Sequence, residues 1–178
     1  MTNEPLLNRK LAWCLLWLRL GIASVFVMWT ADKFVNPEHT AAVFKKFYAF
    51  DGLSNTHSYG IGAVQSVFII CFIIGLFRTY SYGLILVLHT ISTVSSYKAY
   101  LDPWTYPHLL FFAAIPMLAA CVTLWWLRKY DLFTVDAARA KAKLVKHREI
   151  TDLTGIECAP GRHVRACLNH ETTRIPER

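Results

Sequence analysis

Arg19 is the one full charge inside a long apolar stretch, residues 11–31. It lies eight residues past Leu11, roughly 12 Å along a helix that rises about 1.5 Å per residue. A charge that deep in hydrocarbon costs ~2.5–3.5 kcal/mol on insertion scales, so it must face a partner or a wet cavity. Either it meets a ligand, or it pairs with backbone carbonyls and holds helices together. His89 stands near the centre of a second apolar stretch, 80–97. A neutral imidazole offers one donor and one acceptor, which suits a carbonyl or hydroxyl ligand or a proton relay. A buried bond to a neighbouring Ser or Thr is the plainer reading.

Lys33 follows Arg19 by fourteen residues, close to four helical turns, so Arg19, Phe26, Thr30 and Lys33 share one face. His89, Thr93 and Ser96 share another stripe. Arg19 and His89 come out at comparable depth, with Lys33 at the mouth. Together with Thr30 and Thr93 they form a candidate site for an anionic or quinone-like ligand, against the alternative of a simple interfacial Lys33. Cys158, His163, Cys167 and His170 have the ligand types for zinc. Their spacing matches no strong zinc signature, so no metal is expected there. Cys14, Cys71 and Cys121 read as small apolar side chains in helices. No Walker loop, GxGxxG, GxSxG, HExxH or CxxC occurs, which leaves a nucleotide cofactor or an embedded hydrolase without support.

The elements that must carry these residues are membrane spans. The chain has 178 residues, 54% of them hydrophobic and 17% charged. Residues 11–31, 59–77 and 109–127 hold only Arg19 as a charge, and 80–97 hold none. About 18 or more near-continuous apolar residues are needed to cross a ~30 Å hydrocarbon core. This excludes a soluble globule, a disordered chain and a disulfide-stapled secreted domain. The expected fold is all-α: a four-helix transmembrane bundle with a short outer amphipathic helix and a basic cytoplasmic tail. Its parts are a lead at 1–10, the bundle at 11–130 and the tail at 131–178.

Loop charges set the orientation. Arg9, Lys10, Arg78, Arg128, Lys129, Arg139, Lys141 and Lys143 fall on one side; Lys33, Lys45, Lys46 and Lys98 fall on the other among Asp32, Glu38, Asp51 and Asp102. Both termini are therefore expected in the cytoplasm, with the bundle in the plasma (inner) membrane. Arg19 interrupts what would be the core of a cleaved leader, so the first stretch is read as a span. The net charge is +7, and eleven of the nineteen Lys and Arg lie in 128–178 beside a span. That placement points to a lipid surface rather than nucleic acid.

Asn36-Pro37 has the form of a helix start, with Asn36 as N-cap and Pro37 at the first helical position. Val43, Phe47 and Phe50 then make one apolar face, with Lys45 and Lys46 turned away. The segment is expected on the outer membrane surface or folded over the bundle mouth. Arg78-Thr79-Tyr80-Ser81 is expected to reverse the chain between spans two and three, and Pro116 to kink span four. Residues 134–149 suit a basic helix along the inner leaflet, and 150–178 read as mostly irregular.

Leu18-Arg19-Leu20-Gly21, followed by an aromatic-rich stretch and then Ala31-Asp32-Lys33-Phe34, resembles the DoxX family of small four-span bacterial membrane proteins. The resemblance covers roughly residues 11–127, with a Gly-rich second span, a polar third span and a Pro-x-x-x-Pro turn before Leu109-Leu110-Phe111 and Pro116. Where many members have glycine before the lysine, this chain has Thr30-Ala31-Asp32, and its basic tail lies outside the shared pattern. The resemblance implies a quinone-coupled oxidoreductase system or a membrane redox-stress complex, with Arg19 and Lys33 as the basic positions of span one. The expected function is a quinone-linked redox subunit working with a partner oxidoreductase, as a monomer or a homo-oligomer. The alternative is a non-catalytic scaffold or assembly factor.

Overall fold

The computed structural model describes residues 4–48 and 52–154. Among them all regular structure is helical. The order is α1 (Glu4–Val35), α2 (Pro37–Tyr48), α3 (Asn55–Ile74), α4 (Arg78–Ser95), α5 (Tyr97–Leu101), a 3₁₀ turn (His108–Ala113), α6 (Ala114–Trp126), a second 3₁₀ turn (Arg128–Tyr130) and α7 (Val135–Thr154). The chain divides into two units, one ending at Ala137 and one beginning at Ala138. The first unit thus runs past residue 130, the expected end of the bundle.

Three helices are long and apolar enough to cross a membrane: Leu6–Val35, Asn55–Ile74 and His108–Trp126. The expected third span, now α4, has 18 residues but is not among them. Its Ser, Thr and His content lowers its apolarity. Several of those polar groups point inward: Ser81, His89 and Thr93 are buried, as is Ser96 at the end of the helix.

α1 contributes one buried face, Ala12, Leu15, Arg19, Ile22, Ala23, Phe26 and Thr30. The spacing of three and four residues keeps that stripe on one side of a helix. It packs chiefly on α3, while α4 packs chiefly on α6. Ile69 and Phe72 of α3, Tyr82 and Ile85 of α4, and Cys121 and Leu124 of α6 complete the core. The outward faces are also apolar, with Trp17, Met28, Val67, Ile70, Val94 and Leu110 exposed.

The reversal between α3 and α4 comes earlier than the sequence suggests. Gly75 adopts φ +66° and closes α3, its N–H bonding Phe72 O while the Leu76 N–H bonds Cys71 O. Such a left-handed cap favours a residue without Cβ, although Phe77 two residues on is also left-handed, at φ +49°. Leu76 and Phe77 look like span residues by composition, yet they form the turn, and Arg78–Ser81 is the first turn of α4. The Arg78 N–H is capped from far along the chain by Asp136 Oδ2 at 2.8 Å.

Pro116 lies in the first turn of α6. There its missing N–H removes no bond, whereas deeper in a helix it would clash with the carbonyl four residues back. The preceding residues, His108–Ala113, accordingly wind as a 3₁₀ turn instead of one kinked α-helix. Asn36 breaks the chain between α1 and α2, and Pro37 opens α2 as its sequence requires. Helix α7 extends to Thr154, beyond the expected end at 149.

Candidate functional site

The polar residues singled out by sequence divide among three places. Arg19 belongs to the first, at the end of the bundle that holds the α3–α4 turn. Its Nη1 donates to Tyr82 Oη at 2.7 Å and to Asp131 Oδ2 at 3.0 Å, and its Nη2 donates to Phe133 O at 2.6 Å. Tyr82 Oη donates in turn to Asp131 Oδ2 at 2.8 Å. Arg19 and Asp131 are 2% and 0% exposed, so this is a fully desolvated ion pair. Geometry of this kind, with further hydrogen bonds to both partners, is what a buried pair needs to offset its desolvation. The turn is shaped around it: a Cβ on Gly75 would stand 2.8 Å from Arg19 Nη1 and 2.5 Å from Thr134. Arg78 Nη1 also donates to Asp131 O at 3.2 Å, fixing the same segment from α4.

Asp131 and Tyr82 are absent from the residues that sequence reasoning picked out. A usable signal existed, because a buried guanidinium requires an anion and Asp131 is the first acid after span four. Its place at the border of the basic tail disguised it.

The second place is a cavity of 1030 Å³ between α1, α4 and α6. Its lining is mostly apolar, with Trp17, Leu18, Ile22, Trp29, Phe111 and Met117 on the walls. His89 and Ser92 of α4, with Ser96 just past its end, supply the polar positions. His89 is 1% exposed and its Nε2–H donates to Ala114 O at 3.0 Å. A carbonyl only accepts, so this bond assigns the proton to Nε2 and leaves Nδ1 as an acceptor. Nδ1 is buried without a partner. The ring lies 6.0 Å from that of Trp29 and 6.2 Å from that of Phe26. Thr93 supports the same turn by donating to His89 O at 2.8 Å.

Arg19 does not line this cavity, and its three donor bonds all run to Tyr82, Asp131 and Phe133. The comparable depth expected of Arg19 and His89 is not found as a shared site. Tyr82, which receives Arg19, precedes His89 by seven residues on α4, or about 10 Å of helix. The long Arg19 side chain reaches toward the turn, away from His89.

The third place is a cavity of 770 Å³ under α2, at the opposite end of the bundle from the turn. Lys33, Asp32, His39, Thr40 and Gln65 line it together with Val43, Phe47, Phe68 and Leu88. α2 folds over this mouth as one of its two expected positions required: Thr40 is buried, and the Phe47 ring meets that of Phe111 at 5.6 Å. Phe50, the third member of the expected apolar face, lies outside the described residues. Lys33 Nζ donates to Trp29 O at 2.9 Å and Thr30 Oγ1 donates to Phe26 O at 2.8 Å. Thr30 is therefore committed to its own helix. Trp29, Ser92, Ser96 and Phe111 line both cavities.

Cys158, His163, Cys167 and His170 lie outside the described residues. Among the described residues no group of three or more potential metal ligands comes together, and Cys14, Cys71 and Cys121 are free thiols. The chain matches no protein-family model, no curated protein and no solved structure.

Proposed function

We propose that this chain is a DoxX-like, four-span protein of the inner membrane, with both termini cytoplasmic, that binds a quinone beside His89 as a subunit of a partner oxidoreductase. The observation that carries this reading is the 1030 Å³ cavity, apolar on its walls and polar only along α4. Ligand sites typically occupy ~300–1,000 Å³ with a few placed polar groups. The apolar outward faces of the helices agree with a lipid setting, because exposed apolar surface on this scale is otherwise an association liability. α4 completes the bundle as a fourth span whose polar side faces protein, the arrangement such residues need in hydrocarbon.

The cavity suits a quinone ring and its reduced form. Trp29, Phe111 and Met117 provide flat apolar contact, Ser92 a hydroxyl, and His89 Nδ1 a buried acceptor that a ligand hydroxyl can satisfy. A buried acceptor left without a partner costs about 1–3 kcal/mol, which a matching donor recovers. Nε2–H anchored on Ala114 O keeps the ring in one orientation, so His89 can hold a proton at Nδ1. Bound quinone would supply two-electron, two-proton carriage, with electrons arriving from the partner, of the sulfur-compound or redox-stress type. Arg19 enters this reading as a structural residue rather than a ligand.

The test is purification in mild detergent, extraction with organic solvent and absorbance before and after borohydride. A stoichiometric quinone is expected in the wild type and a strongly reduced amount in His89→Phe, with the melting temperature held. Wild-type protein without quinone overturns the reading. One observation favours a scaffold instead: five Lys and Arg recur between Arg139 and Arg148 on α7, a suitable surface for anionic lipid or a partner protein. A stoichiometric partner recovered with no quinone would select that alternative.

A further inference from the structure

The cavity under α2 shares Trp29, Ser92, Ser96 and Phe111 with the proposed quinone site, but the rest of its lining is its own and is ordered differently along its length. α1 ends at the mouth, α3 starts there and α4 ends there. Asp32, Lys33, His39, Thr40, Ser92 and Ser96 therefore lie at the mouth level. Phe26, Phe68, Leu84 and Leu88 lie one to several turns deeper. Gln65 of α3 stands at the border between the two zones. A site whose charged groups and hydroxyls gather at one end, under the apolar face of α2, and whose depth is apolar has the polarity profile of an amphiphile.

The mouth also carries unspent hydrogen-bonding capacity. Thr40 is 3% exposed and its Oγ1 is buried without a partner. Buried hydroxyls in native proteins nearly always have one. Lys33 spends one of its three donors on Trp29 O. Among the described residues no ion pair engages Lys33. The neighbouring carboxylate of Asp32 is occupied by His39 Nδ1 at 2.7 Å and Asn36 Nδ2 at 3.5 Å. Lys33 is held in place by close packing of α1 on α3, where Gly62 lets Phe34 and Lys33 approach to distances that a Cβ would contest.

We infer that this cavity binds an acyl-chain amphiphile with a singly charged anionic head, the head on Lys33 and Thr40 and the chain among Phe26, Phe68, Leu84 and Leu88. A neutral head makes no use of the ammonium's charge. A small soluble anion leaves the apolar depth unfilled. A free fatty acid and an anionic phospholipid share the required chemistry.

The full chain in phosphatidylcholine nanodiscs is titrated with cis-parinaric acid and with the corresponding alcohol, each against protein-free discs. Wild type is expected to bind the acid about tenfold more tightly than the alcohol, the scale of one charge-assisted contact. Lys33→Gln is expected to erase that difference while leaving alcohol binding intact, and Thr40→Val to reduce it. Leu84→Trp, which fills the deep end, is expected to weaken both ligands. Equal binding of acid and alcohol by wild type overturns the assignment, as does a preference that survives Lys33→Gln. Replacing part of the disc lipid by phosphatidylglycerol separates the two sources. Loss of acid binding beyond the change seen in Lys33→Gln identifies the phospholipid as occupant, and unchanged binding identifies the free acid. Quinone content does not enter any arm, and Lys33, Thr40 and Leu84 line this cavity and not the one beside His89, so failure here is distinguishable from failure of the quinone reading.

Discussion

At the α3–α4 turn the bundle buries a full charge and answers it at once, whereas at the mouth it buries polar atoms beside open volume. Arg19 meets Asp131, Tyr82 and Phe133 O within 3.0 Å, and neither member of the pair lines the His89 cavity or the one under α2. Two atoms of the group, Arg19 Nε and Asp131 Oδ1, remain without partners, but they are sealed inside the packing. His89 Nδ1 and Thr40 Oγ1 are equally buried, yet their residues line cavities of 1030 and 770 Å³. The contrast separates two uses of buried polarity. A paired charge in tight packing holds a segment in place, and an unsatisfied acceptor or hydroxyl next to space is where a ligand gains most.

The largest test of that contrast is Asp131→Ala, which leaves Arg19 buried and uncompensated. Breaking one side of such a pair costs about 3–5 kcal/mol, whereas replacing both sides by apolar residues is often neutral or stabilising. Thermal unfolding in detergent should therefore show a large fall for Asp131→Ala and recovery in Arg19→Leu/Asp131→Leu. A double variant as unstable as the single one would show that the pair does more than satisfy its own charges. Gly75→Ala comes next. Left-handed backbone costs a non-glycine residue roughly 1–2 kcal/mol, and the new Cβ must also displace Thr134 at 2.5 Å. The same melts should record a loss of about 2 kcal/mol, and an unchanged midpoint would mean that the turn relaxes freely. The smallest effect is expected at the mouth. Phe47→Ala removes a ring contact worth about 0.5–1.5 kcal/mol, so hydrogen exchange should quicken in α2 while the global melt scarcely moves. A global loss there would place α2 in the stabilising framework and weaken the contrast between the two ends.

Much of this arrangement is legible residue by residue. The spacing of Arg19, Phe26 and Thr30 predicts one face of a helix, and all three are buried on it. Asn36-Pro37 announces α2, and the polar stripe of His89, Thr93 and Ser96 turns inward as its chemistry demands. The turn between α3 and α4 was harder to read, because Leu76 and Phe77 continue the apolar run, yet the backbone turns left-handed at Gly75 and again at Phe77 (φ +49°). The His89 cavity and its separation from Arg19 were not legible, since depth along two helices says nothing about which way a long side chain reaches.

Sequence alone determined the helical character of the described chain, the three apolar stretches that become helices long enough to span a membrane, and the side that α1 and α4 turn inward; the fourth span it called for, α4, is not apolar enough to stand with them. These properties follow from local periodicity and from the cost of exposing or burying each side chain, which neighbours within a few turns decide. Tertiary structure decided that Arg19 meets Asp131 across 112 residues of chain. It likewise decided that Lys33 and His89 line different cavities. Those outcomes depend on how separate helices dock, and the amphipathic pattern of any one helix fits many docking partners equally well.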